Sequence, residues 1–142
     1  PNLRELLSLR CFIDMTAVFA VVSIANWVVY TWLPLYLYER FRMGLALAGF
    51  SATFYIQLAS FCGILAGGWL ADRWRRSSPQ GRLLTQVVGL LLSGPSLFVA
   101  GTTLSHGVLV VGLVLFGLGR GFYDCNTMPV LCQVARPIDA RS

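Results

Sequence analysis

Arg120 and Asp124 stand four residues apart inside a run, residues 107–135, that otherwise reads as hydrocarbon, with Tyr123 and Thr127 in step beside them. On a helix of 3.6 residues per turn that spacing gathers Arg120, Tyr123, Asp124 and Thr127 on one face. An arginine or aspartate at the centre of a membrane helix costs ~2.5–3.5 kcal/mol on insertion scales. Such a face therefore turns toward protein or a water-filled passage. The chemistry open to it is charge recognition. The guanidinium of Arg120 would attract an anionic group, and Asp124 would carry a coupling proton or cation, its charge set by what fills the space around it. A competing reading pairs Arg120 with Asp124 along the helix as a lock for the bundle, with no ligand involved. Asn126, about a third of a turn away, serves a neighbouring helix, and Pro129 bends the chain beyond the cluster by removing one backbone hydrogen bond.

A second, uncharged stripe runs through Ser23, Asn26, Tyr30 and Pro34. Asn26 and Tyr30 are candidates for substrate contact, and hydrogen bonding between helices is the alternative for Asn26. Trp32, Tyr36 and Tyr38 fit an aromatic belt at the membrane surface, and Asp14 fits an interfacial salt pair with Arg10. Cys11, Cys62, Cys125 and Cys132 form no C-x-x-C, and the one histidine, His106, falls in a loop, so neither a metal site nor a cofactor is expected. No base lies at a spacing that would activate a serine or cysteine, which argues against an enzyme.

The elements that must hold these groups follow from composition. Of the 142 residues 56% are hydrophobic and 12% charged, and the mean hydropathy of +0.69 is that of a membrane chain. Apolar runs over residues 11–38, 45–71, 83–104 and 107–135 each reach the ~20 residues that cross a bilayer as a helix. None alternates as a barrel strand does, so an all-α bundle of four transmembrane helices is expected. The first run is too long and too polar for the apolar core of a signal peptide and stays in the mature chain. The net charge of +5 comes from arginine alone. With the amino end cytoplasmic, Arg4, Arg10, Arg73, Arg75, Arg76, Arg82, Arg136 and Arg141 fall inside and Arg40 and Arg42 outside, as the positive-inside rule requires. Both ends are then cytoplasmic, in a multi-pass protein of the plasma (inner) membrane. The basic loop "ADRWRRSSPQGR" is explained by that rule, and no nucleic-acid partner is expected. Short connections make successive helices antiparallel neighbours and leave no room for a separate soluble domain.

Small residues show where helices meet. Ala59, Gly63, Gly67 and Ala71 recur every four residues, Gly117, Gly119 and Gly121 mark the fourth run, and Gly89 with Ser93 mark the third. Without water to drive association, such residues let membrane helices approach closely.

At "GILAGGWLADRWRRSSPQGRLL" the chain resembles the signature loop of the major facilitator superfamily, in which a glycine-rich helix end runs into G-x-x-x-D-R and a basic turn. Gly68, Asp72 and Arg73 match in place, with Arg75 and Arg76 as the basic cluster. The glycine that usually follows Asp-Arg-x is missing, which fits the copy carried between the eighth and ninth helices. "WLPLYLYERF" looks like the outer end of the seventh helix in the branch carrying organic anions and sugar derivatives, and "GLGRGFYDCNTMP" like the tenth. The resemblance implies a carboxyl-half fragment, helices seven to ten of a twelve-helix carrier whose halves rock about a central site. In such folds the first and fourth helices of each half line the cavity, where both polar stripes fall. The resemblance also makes Asp72 and Arg73 a gating latch whose contacts change between conformations.

The expected function is secondary active transport of a small, anionic organic solute by alternating access, coupled to a cation or proton. Its partners would be the substrate, a coupling ion, the lipid bilayer and the remaining helices of the full-length transporter. Two rivals predict different outcomes. A non-transporting scaffold or receptor bundle would use the polar stripes only to specify helix pairing, and a small four-helix drug exporter would work as a dimer.

Overall fold

A computed structural model describes residues 10–139, with side chains described at 10 and 12–132. Residues 1–9 with Arg4, residues 140–142 with Arg141, and the side chains of Cys11 and Arg136 lie outside the described residues. The chain forms α1 (Arg10–Phe41), α2 (Leu45–Arg75), α3 (Gly81–Thr102) and α4 (His106–Asp139). All four are long and apolar enough to cross a membrane. Even α3, with 22 residues, reaches about 33 Å at 1.5 Å per residue, enough for a ~30 Å hydrocarbon core.

The helices run past the apolar stretches that announce them. α1 continues through Glu39 and Arg40 to Phe41, α2 through Arg73 to Arg75, and α3 begins at Gly81 with Arg82 in its first turn. His106, expected in a loop, opens α4. Hydropathy measures the stretch that tolerates lipid, whereas backbone hydrogen bonding continues into the headgroup layer, where charged side chains reach water. The helix also continues through Pro129. After α1 the chain turns at Arg42, which takes φ 51°, the left-handed position that usually follows a helix end and favours glycine.

α4 is the central helix, lying along both α2 and α3, while α1 stands at the edge against α2 and touches α4 more sparsely. The small residues explain this arrangement. Ala59, Gly63, Gly67 and Ala71 are all buried on α2, and a Cβ added at Gly63 would stand 2.5 Å from the Leu118 carbonyl oxygen. The fourth helix uses its glycines on two sides. A Cβ at Gly121 would meet the Ile64 backbone nitrogen of α2 at 2.7 Å, and one at Gly119 would meet the Gly89 carbonyl oxygen of α3 at 2.5 Å. Ser93 of α3 spans the second contact, donating to its own Gly89 carbonyl at 2.8 Å and to Phe116 of α4 at 3.4 Å. Backbone thus packs on backbone along both seams, as dispersion-driven association in lipid requires.

The side chains fill the half that carries the α1–α2 turn more tightly than the half that carries the α2–α3 turn. Val29, Leu33 and Leu37 of α1 pack with Ala48, Ala52 and Ile56 of α2 and with Leu109, Leu113 and Phe116 of α4. Tyr36 then ties α1 to the end of α3, donating to the Gly101 carbonyl at 3.0 Å. Toward the end that carries the α2–α3 turn, α1 parts from α3 and leaves a cleft of about 510 Å³ lined by Phe12, Met15, Phe19, Gln86, Tyr123 and Thr127 among others.

Candidate functional site

The polar groups meet where the tight core gives way to the cleft. Arg120 lies close to the middle of the apolar span His106–Cys132 of α4, and so near mid-depth in a hydrocarbon core of ~30 Å. Its Nε donates to Asp124 Oδ2 at 3.1 Å one turn on. Its Nη1 donates to the Tyr30 hydroxyl of α1, and its guanidinium carbon sits 5.1 Å from the Tyr30 ring centroid. A single arginine therefore ties α1 to α4 through hydroxyl, ring face and carboxylate together. A guanidinium permits this, because its donors diverge toward Tyr30 and Asp124 while the cation stays within reach of the ring. The cluster is only partly enclosed, with 22% of the Arg120 and 36% of the Asp124 side-chain surface still open.

The face expected to be single is divided between two neighbours. Arg120 and Asp124 turn toward α1, whereas Tyr123 is buried and, with Thr127, lines the cleft beside α3. There Gln86 Nε2 donates to Thr127 Oγ1 at 3.3 Å, and Thr127 donates back to the Tyr123 carbonyl at 2.9 Å. Gln86 was not singled out by spacing. A lone glutamine in an apolar run is nonetheless a group that must be satisfied inside the protein, and it is buried here. Asn126 is also buried and satisfies itself within α4, donating to the Phe122 carbonyl at 3.0 Å. Asn26 lies one turn from Tyr30 on α1, half-buried and outside the Arg120 network; no hydrogen bond of its side chain occurs among the described residues.

The signature-loop residues stand apart, at the α2–α3 turn. Asp72 does not pair with its neighbour Arg73. It accepts from Arg82 Nη2 of α3 at 3.4 Å, while Arg73 lies over the Trp69 ring at 5.8 Å. Adjacent residues on a helix point about 100° apart, so Asp72 can face α3 only if Arg73 faces elsewhere. Gly81 makes the turn possible, since a Cβ there would fall 2.5 Å from the Arg75 backbone nitrogen. Arg82 keeps its Nε buried without a partner among the described residues, and nothing in the spacing marked it beyond its charge.

The fold and its cluster define a class: a multi-pass membrane protein of close-packed helices that carries an arginine and a carboxylate at mid-depth, with Tyr123 and Thr127 of the same helix lining an internal cleft. The chain belongs to the Major Facilitator Superfamily, whose profile matches residues 1–141. It is also similar to the probable galactarate/D-glucarate transporter of Bacillus subtilis, with 30% identity over 125 residues, covering 86% of this chain and 27% of that protein. The chain thus spans about a quarter of the length of that relative. No solved structure matches it.

Proposed function

We propose that this chain is part of a secondary transporter that moves a small organic anion across the plasma membrane by alternating access, with Arg120 as the anion anchor. The observation that carries the proposal is the Tyr30–Arg120–Asp124 cluster, part-open to its surroundings at mid-depth and joining α1 to α4. The similarity to a protein named as a galactarate/D-glucarate transporter favours a sugar-acid carboxylate as the anion. A carboxylate arriving at Arg120 competes with Asp124 for the same donors. Asp124 then gains from taking up a proton or a cation, which is a direct route to symport. Tyr30 and Tyr123 border the site, and Asn26 offers an amide to a hydroxylated solute one turn along α1.

In this reading the four helices are the seventh to tenth of the full-length carrier, with the chain ends cytoplasmic and the remaining helices completing the passage. The cleft would then face the cytoplasm. Asp72 acts as a latch through its pair with Arg82, made and broken as the α2–α3 turn meets the rest of the protein, and Arg73 contributes from the lipid-facing side. The scaffold alternative has one observation in its favour, that Arg120 is already paired on both sides. Uptake decides between them. In proteoliposomes holding the full-length protein, Arg120→Lys should lose D-glucarate uptake by more than about tenfold while the protein still assembles, because an ammonium cannot hold ring, hydroxyl and carboxylate together. Undiminished uptake by that variant would overturn the assignment.

A further inference from the structure

We propose that Gln86 of α3 forms a second, neutral station for the transported solute, one that reads hydroxyl groups and so restricts the anion to polyhydroxy acids. The proposal rests on Arg120 as the anchor of that anion and adds what the solute must carry besides its charge. The orientation of the amide follows from its one partner. The Thr127 hydroxyl donates its single proton to the Tyr123 carbonyl at 2.9 Å, so toward α3 it can only accept. Gln86 must therefore present an N–H, and its Nε2 lies 3.3 Å away. That leaves the amide oxygen and the second N–H, and neither has a partner among the described residues. Gln86 is nevertheless only 5% exposed. These helices alone enclose it, so the remainder of the carrier can only bury it further. A buried amide with an idle acceptor and an idle donor costs stability until a partner meets both.

The amide lies on the cleft of about 510 Å³, beside Tyr123 and Thr127 and among the apolar side chains of Leu83, Val87 and Leu90. Tyr123 immediately precedes Asp124, so the cleft begins next to the charged cluster. Thr127 stands seven residues beyond Arg120, about 10 Å along α4. An anion moving from Arg120 toward the α2–α3 turn meets the amide within the length of a short carbon chain. An acceptor and a donor side by side match a hydroxyl group, which offers one of each, whereas an ionised carboxylate only accepts and an ammonium only donates. A solute with methylene groups in place of hydroxyls would leave the amide unpaired between mostly apolar walls. A site built to hydrogen-bond a hydroxyl rejects the analogue without it for that reason.

The test is ligand binding by the full-length protein in detergent, read as ligand-induced thermal stabilisation in titrations with D-glucarate and with adipate, which has the same carbon chain and both carboxylates but no hydroxyls. The parent should bind D-glucarate at least about tenfold more tightly than adipate. Gln86→Leu should weaken D-glucarate about five- to tenfold, the net loss of about one neutral hydrogen bond, and leave adipate within about twofold. Gln86→Met, another apolar chain of similar length, supplies the same comparison if the leucine variant fails to fold. Arg120→Gln should weaken both ligands alike. Equal affinity of the parent for the two ligands would overturn the proposal. So would an unchanged ratio in the Gln86 variants, whether both ligands weaken together, as a purely structural tie to Thr127 predicts, or neither does, as when a further helix holds the amide. Those results leave the anion anchor standing where Arg120→Gln loses both ligands. Undiminished binding by Arg120→Gln, or binding of neither ligand by the parent, would remove the anchor and this proposal with it.

Discussion

Removing both charges of the central pair together separates a lock from a ligand site. Two unit charges about 4 Å apart attract by about 4 kcal/mol at an effective dielectric of ~20. Exposed pairs yield ~0.2–1 kcal/mol in double-mutant cycles, and breaking a fully buried pair costs ~3–5 kcal/mol. With 22% and 36% of their side-chain surfaces open, Arg120 and Asp124 lie between, at about 2 kcal/mol. Arg120→Gln alone should therefore destabilise the full-length protein by about that amount, because Asp124 is left charged and unpaired. Adding Asp124→Asn removes the orphaned charge and should return stability to within about 1 kcal/mol of the parent. The assay is thermal unfolding in detergent alongside anion uptake in proteoliposomes. The double variant should unfold like the parent and still fail to transport. Recovery of uptake together with stability would refute the reasoning, since the charges would then have served only one another.

Other expectations follow from single contacts. Tyr30→Phe keeps the ring under the guanidinium and loses the hydroxyl acceptor, so it should cost ~1 kcal/mol and weaken uptake less than tenfold, whereas Tyr30→Ala should do more harm; both are read from uptake kinetics. Gly121→Val puts side-chain atoms against the α2 backbone where a bare Cβ already falls 2.7 Å from Ile64 nitrogen; it should cost ~1–3 kcal/mol or more and reduce the folded fraction in size-exclusion chromatography. Arg42→Gly relieves a side chain held at φ 51° and should raise stability by up to ~1 kcal/mol in thermal unfolding, with transport unchanged.

The number of helices and their close seams were legible because both depend on local arithmetic: length against bilayer thickness, and small residues repeating along a stripe. The Arg120–Asp124 contact was legible for the same reason, being one turn long. The limits appear where contacts cross the chain. Tyr30 reaches Arg120 over 90 residues of sequence, and only the family resemblance, which sets the first and fourth helices around a cavity, pointed the two stripes at each other. Asp72 faces Arg82 rather than Arg73 because the Gly81 turn brings α3 beneath the end of α2, a consequence of backbone approach that spacing does not announce. Gln86 drew no assignment from the sequence because one amide in an apolar run has no pattern; its role appears only when Thr127 is seen opposite. Helix ends at Phe41 and His106 escaped hydropathy because they lie where lipid gives way to water.

The central claim is that the charged turn of α4 meets water. Single cysteines at positions 124 and 127, introduced into the full-length protein with its native cysteines replaced, can be challenged with a membrane-impermeant thiol reagent from each side of the membrane. The account predicts reaction at both positions from at least one side and slower reaction when the transported anion is present. Silence at both positions from both sides, in protein that assembles normally, would contradict it.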